Sequence, residues 1–117
     1  MNFAAITEDQ YFEALESAVA ERGEGYTYDG PSGCVYEHNN QPSCLIGLAV
    51  TKLGAPIELL KEWDECRNVE GSGITDVAPV GMPDKVVKFY AAAQRAQDDG
   101  DTWGEALGAA ERLYDKA

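Results

Sequence analysis

Positive charge is what this sequence has least of. Lys and Arg together number 9 against 21 Asp and Glu, with a single His, so the formal charge at neutral pH is −12. Small domains usually carry a net charge of about 2–8 in magnitude. An excess of this size argues against nucleic-acid backbones and anionic membranes as partners, because both repel it.

Long apolar runs are missing as well. The longest, Cys44 to Val50, falls well short of the roughly 18 residues that a membrane helix needs. Met1 to Asp9 has neither a basic segment nor an apolar one behind it, so no signal peptide is expected there. Cysteine is scarce. Cys34, Cys44 and Cys66 make an odd count of 3, which fits reduced thiols in a cytosol better than a disulfide framework. A cytoplasmic location is the expectation.

Catalytic signatures are also lacking. Gly71-Ser72-Gly73 has neither the spacing nor the Lys of a phosphate-binding loop. His38 is followed by Asn39-Asn40, which breaks the zinc-deaminase pattern. Asp64 and Glu65 are neighbours on a charged helix end, the usual mark of a solvated face. No enzyme activity and no cofactor are expected from such a chain.

What remains is ample for one folded domain. At 117 residues and 44% hydrophobic composition, the chain can bury a core and lies within the size of a single domain, about 100–150 residues. Thr7 and Gln10 have the spacing of a capping box, and Gly23 is placed to end the helix they open. Over residues 8–22, Tyr11, Leu15, Ala18 and Val19 share one face, widened by Phe12, while Asp9, Glu13 and Glu16 share the other. Tyr26-Thr27-Tyr28 and Cys34-Val35-Tyr36 flank the turn-rich Asp29-Gly30-Pro31-Ser32-Gly33, which predicts a small β-hairpin near residues 26–36. His38 to Pro42 is expected to loop into the next helix.

Ser43 is the expected N-cap of a helix from Cys44 to Leu53, apolar around nearly its whole circumference and therefore central. Pro56 opens a further helix to about Glu65, with Leu59, Leu60 and Trp63 inward. Arg67 to Met82 is a Gly-, Ser- and Pro-rich connection long enough that it should pack against something. Pro83 starts a helix to about Gln97, with Val86, Phe89, Tyr90 and Ala93 inward and Lys85, Lys88 and Arg95 on its far side. Thr102 and Glu105 form a second capping box, ahead of a stripe of Trp103, Ala106, Leu107, Ala110, Leu113 and Tyr114. The expected fold is mainly α: a single compact domain, residues 1–117, of about five helices with one small hairpin.

Four constellations invite a functional reading. Cys34, His38, Cys44 and Cys66 are the residue types zinc prefers, but none of the cysteines forms a C-x-x-C pair, and buried free cysteines are common. Cys44 near a helix start, with His38 before it, has the makings of a thiol nucleophile, although an apolar helix would bury it. Tyr26, Tyr28 and Tyr36 offer large rigid rings with polar tips, suited either to a partner or to the domain's own core. The acidic stripe of Asp9, Glu13 and Glu16 has a counterpart in Lys85, Lys88 and Arg95, and the two could meet between copies in a homodimer or simply face water.

The run Cys34-x-Tyr36, then Gln41-Pro42-Ser43-Cys44-Leu45-Ile46-Gly47, then Leu53-Gly54-Ala55-Pro56 resembles a pattern in small actinobacterial and actinobacteriophage proteins. Ala93 to Leu107, with its Thr102-Trp103-Gly104-Glu105-Ala106-Leu107, is similar to the C-terminal part of such proteins. The resemblance spans residues 26–64 and 90–112. It implies a phage or prophage accessory protein in a bacterial cytoplasm, and brings no activity or catalytic residue with it.

The expectation is a non-enzymatic protein that binds a host or phage protein through Tyr26, Tyr28, Tyr36, Asp9, Glu13 and Glu16. The alternatives are an acidic DNA mimic that blocks a DNA-binding enzyme, and a small zinc- or thiol-dependent protein. Residues 7–24 hold Glu8, Asp9, Glu13, Glu16, Glu21 and Glu24 against Arg22 alone, whereas Lys85, Lys88 and Arg95 lie together. The charge is therefore distributed unevenly over the surface.

Overall fold

Helix α1 (Glu8–Arg22) begins and ends where its caps place it. In the computed structural model, which describes residues 2–28, 35–66, 74 and 79–115, Thr7 Oγ1 accepts from the Gln10 amide at 3.1 Å. Gln10 Oε1 accepts from the Thr7 amide at 2.8 Å, completing the box. Gly23, at φ +98°, closes the helix in a conformation that L side chains rarely adopt. Tyr11, Ala14, Leu15, Ala18 and Val19 are buried on the inner face. A short 3-10 turn, Phe3–Ala5, precedes the helix and is tied to it by the Tyr11 hydroxyl, which donates to Phe3 O at 2.8 Å.

The hairpin exists but sits later than residues 26–36. Strands β1 (Glu37–His38) and β2 (Gln41–Pro42) pair antiparallel, Glu37 opposite Pro42 and His38 opposite Gln41. Asn39 and Asn40 between them have φ of 53° and 63°. A two-residue hairpin turn of this hand needs positive φ at both central positions, and Asn tolerates it better than most residues. Tyr26–Tyr28 is not a strand because its backbone is used elsewhere. The Tyr26 and Glu24 carbonyls accept from the Trp103 and Gly104 amides, each at 2.8 Å, and so satisfy the start of the last helix. Residues 29–34, which include Cys34 and the expected turn, lie outside the described residues.

Helix α2 (Leu45–Lys52) is the centre of the fold, as its apolar circumference demands: Leu45 to Val50 are all buried. Its N-cap is Cys44, not Ser43, with Sγ accepting from the Gly47 amide at 3.4 Å. Ser43 is diverted because its hydroxyl bonds the Tyr28 hydroxyl at 2.8 Å. Helix α3 (Ile57–Cys66) follows, with Leu60 and Trp63 buried. Ile74 and Met82, from the Gly- and Pro-rich connection, both reach the core. Helix α4 (Asp84–Asp98) buries Val86, Phe89, Tyr90 and Ala93 as expected, together with Gln94 and Gln97.

Helix α5 (Trp103–Asp115) opens on its capping box, with Thr102 Oγ1 accepting from the Glu105 amide at 3.1 Å. The Thr102 amide and hydroxyl donate back to the Glu105 carboxylate, which holds that carboxyl below its usual range. Trp103, Ala106 and Ala110 are buried. Of the expected stripe, Leu113 is exposed, and the side chain of Tyr114 lies outside the described residues. The most extensive helix contacts are between α4 and α5, followed by α1 with α2, and α2 also touches α4. The radius of gyration, 12.7 Å, matches a tightly packed domain of this length, for which about 13 Å is usual. Among the described residues no helix is long and apolar enough to cross a membrane.

Candidate functional site

Asp9, Glu13 and Glu16 are exposed on the outer face of α1, where the helical repeat puts them. Beside them a cleft of about 370 Å³ runs between α1 and the end of α2. Its lining combines half-buried Ile6 and Leu53 and buried Ala14 with exposed Gln10, Glu13, Ser17 and Lys52. Gln10, Glu13, Ala14 and Ser17 are spaced three and four apart, so one ridge of α1 forms the whole of one wall. Lys52 is held at the rim by Glu21, Nζ to Oε1 at 2.7 Å.

The expected basic face is partly used within the chain. Lys85 Nζ lies 3.5 Å from Glu8 Oε2, pairing α4 with the start of α1. Both side chains are over a third exposed, so water screens this contact strongly. Lys88 and Arg95 are exposed on the same side of α4. One pairing between the acidic and basic helices, Lys85 with Glu8, is thus made within a single copy.

The three tyrosines do not form one surface. Tyr36 is fully buried, its ring edge-on to Trp63 at 5.2 Å and its hydroxyl accepting from Gln94 Nε2 at 2.9 Å. A partner cannot touch it, because the crossing of the residue 36 backbone under α2 carries the ring into the core. Tyr26 and Tyr28 are half-buried. The Tyr26 ring stands edge-on to Trp103 at 4.7 Å, with the Arg22 guanidinium 5.5 Å from its centre. Arg22 also donates to Pro42 O at 3.3 Å, tying the end of α1 to β2. The Tyr28 hydroxyl, besides its bond to Ser43, accepts from the Val35 amide at 3.3 Å. These rings fasten the segment after α1 onto the core.

His38 and Cys44 are not brought together: His38 is exposed on the hairpin and Cys44 is buried at the head of α2. Cys34 lies outside the described residues, as does the side chain of Cys66. Among the described residues no three His, Cys, Asp or Glu side chains are grouped to hold a metal ion. Burial pushes the Cys44 thiol up to about 12; hydrogen bonds from the Gly47 and Ile46 amides pull down against that rise, and Asp98 and Asp64 add to it. At neutral pH the sulfur is a buried, protonated thiol, poorly suited to nucleophilic attack.

Three polar residues carry more of the architecture than their sequence context suggests. Asp64 is not on a solvated face: its carboxylate accepts from the Tyr36 and Glu37 amides at 2.8 and 3.0 Å, anchoring β1 to α3. Gln97 Oε1 accepts from the Leu45 amide at 2.7 Å, satisfying a donor at the start of α2 from across the core. Gln94 Oε1 does the same for the Ile74 amide, also at 2.7 Å, while its amide nitrogen holds Tyr36. The signal in the sequence was their spacing: Gln94 and Gln97 fall beside Tyr90 and Ala93 on the inward face of α4.

No family model, no curated protein and no solved structure matches this chain.

Proposed function

We propose that the chain is a non-enzymatic binding domain whose α1 face meets a protein partner bearing basic residues. The observation that carries this reading is the cleft beside Glu13, set into the face that also exposes Asp9 and Glu16. Carboxylates on a rigid helix next to a partly apolar depression suit the recognition of cationic side chains, and complementary charge speeds and selects such encounters. The burial of Cys44 and its separation from His38 weigh against the thiol alternative. The DNA-mimic alternative draws less support, because Lys85 and Lys52 sit against Glu8 and Glu21 and interrupt the row of negative charge. On the resemblance of residues 26–64 and 90–112, the proposed setting is a bacterial cytoplasm, with the chain as a phage or prophage accessory factor.

Affinity capture from an actinobacterial lysate tests this, comparing the wild type with a triple variant, Asp9→Asn, Glu13→Gln and Glu16→Gln. The expected result is a basic protein retained by the wild type, lost from the variant, and released near 1 M salt, where the Debye length falls to about 3 Å. A captured set that is the same for both proteins at both salt levels refutes the reading.

A further inference from the structure

The cleft between α1 and the end of α2 has a more specific character than an acidic surface. Its floor is aliphatic, from Ile6, Ala14 and Leu53, and its wall carries the Glu13 carboxylate with the Ser17 hydroxyl as a further acceptor, while Gln10 Oε1 is already engaged by the Thr7 amide. Among the described residues Lys52 is the one cation of the lining, and its ammonium is 2.7 Å from Glu21. That pair largely cancels, so the remaining charge in the cleft is that of Glu13, with Asp9 and Glu16 exposed within a turn of it. At about 370 Å³ the space is near the lower end of the roughly 300–1,000 Å³ typical of small-molecule sites.

A depression of that size with an aliphatic floor and an acidic wall is complementary to one long cationic side chain. The methylene stem of Arg or Lys buries against apolar surface while its head stays at a polar rim. An anionic ligand would meet Glu13 inside a chain that already carries −12. We propose that this cleft seats an Arg or Lys side chain of a basic peptide segment in the partner, with the stem on Ile6, Ala14 and Leu53 and the head on Glu13. The inference rests on the reading of α1 as a binding face and names the place on it where recognition is centred.

The test is a titration of the isotope-labelled 117-residue chain, followed by amide correlation spectra. The probes are a short synthetic peptide alternating Arg and Leu, the same peptide with Glu in place of Arg, and spermidine as a free amine. The Arg peptide is expected to shift the amides of Ile6, Gln10, Ala14, Ser17 and Leu53, the Glu peptide to shift none, and spermidine to bind more weakly. Glu13→Gln should raise Kd about threefold, the effect of removing one exposed charge pair. Ser17→Lys, which places a competing cation on the cleft wall, should raise it further, while Glu111→Gln on α5 should leave it unchanged. Both cleft positions are exposed, and dispersed spectra of the variants verify that they fold. Shifts centred on Asp9 and Glu16, with the cleft amides still, overturn the cleft while leaving the acidic face standing. No response to the Arg peptide overturns both. Spermidine binding as tightly as the peptide overturns the peptide as occupant.

Discussion

Gly47 lies in the middle of α2, where replacement by Ala would ordinarily stabilise a helix by about 1 kcal/mol. Here the sign should reverse. A Cβ on Gly47 would lie 2.4 Å from Tyr36 O, and the backbone around Tyr36 must retreat by about 1 Å before the contact reaches the ordinary 3.4 Å. That carbonyl accepts from the Ser43 amide at 2.8 Å, and the same residue is held by Asp64 through its amide and by Gln94 through its hydroxyl. Overpacking of this kind costs about 1–3 kcal/mol, and each hydrogen bond it disturbs adds about 1 kcal/mol. Set against the helix gain, Gly47→Ala should destabilise by about 2 kcal/mol. The matching control is Gly108→Ala in α5, where the nearest atom to a new Cβ is Arg112 Nη1 at 4.0 Å. That substitution should stabilise by roughly 0.5–1 kcal/mol. Urea unfolding followed by tryptophan fluorescence, with calorimetry alongside, measures both, and Gly47→Ala should lower Tm by roughly 8–10 °C. If the two substitutions move stability in the same direction, the close crossing of α2 over residue 36 is wrong.

Asp64→Asn should cost about 2 kcal/mol, because one carboxylate oxygen accepting from a backbone amide is replaced by a donor, and charged acceptors make the stronger bonds. Hydrogen exchange should quicken at the Tyr36 and Glu37 amides, and unchanged protection there would refute the anchor. Raising the pH should weaken the fold. The Cys44 thiol ionises near its ordinary 9.0 in the unfolded chain but only near about 12 when buried, so the unfolded state loses its proton first. Its contribution is fully present below 9.0 and is lost as pH climbs toward about 12, by at most about 1.4 kcal/mol per pH unit. Burial shifts the Tyr90 hydroxyl in the same direction, so Cys44→Ala should flatten the alkaline decline without abolishing it. Thermal melts between pH 8 and pH 11 read the slope directly, and equal slopes in the two proteins refute the assignment.

Local chemistry and periodicity were enough for the helices. Thr7 with Gln10, Thr102 with Glu105, and Gly23 act within a few residues of their own position, so their roles survive whatever the rest of the chain does. The apolar run from Leu45 to Val50 likewise has nowhere to go except the centre. The acidic face of α1 follows from helical spacing alone, and Asp9, Glu13 and Glu16 are exposed as that spacing requires. The cleft next to them was not legible, because Ile6, Ser17 and Leu53 become neighbours only when the end of α2 packs beside α1.

Other features depended on competition between distant groups. Tyr26–Tyr28 has strand-like residues, yet the Tyr26 carbonyl, with that of Glu24, is drawn off by the amides that open α5, and the hairpin forms around Asn39-Asn40 instead. Ser43 is the better capping residue by type, yet Tyr28 takes its hydroxyl and the cap passes to Cys44. Asp64, Gln94 and Gln97 look like surface residues one at a time, and Tyr36 suits a surface or a core, but each serves a donor or acceptor far along the chain. The amino-acid sequence by itself determined which segments are helical, which faces are apolar and where the negative charge lies. Only the tertiary structure decided which polar group each buried backbone amide receives as its partner, because that choice is made between segments that meet nowhere but in the folded core.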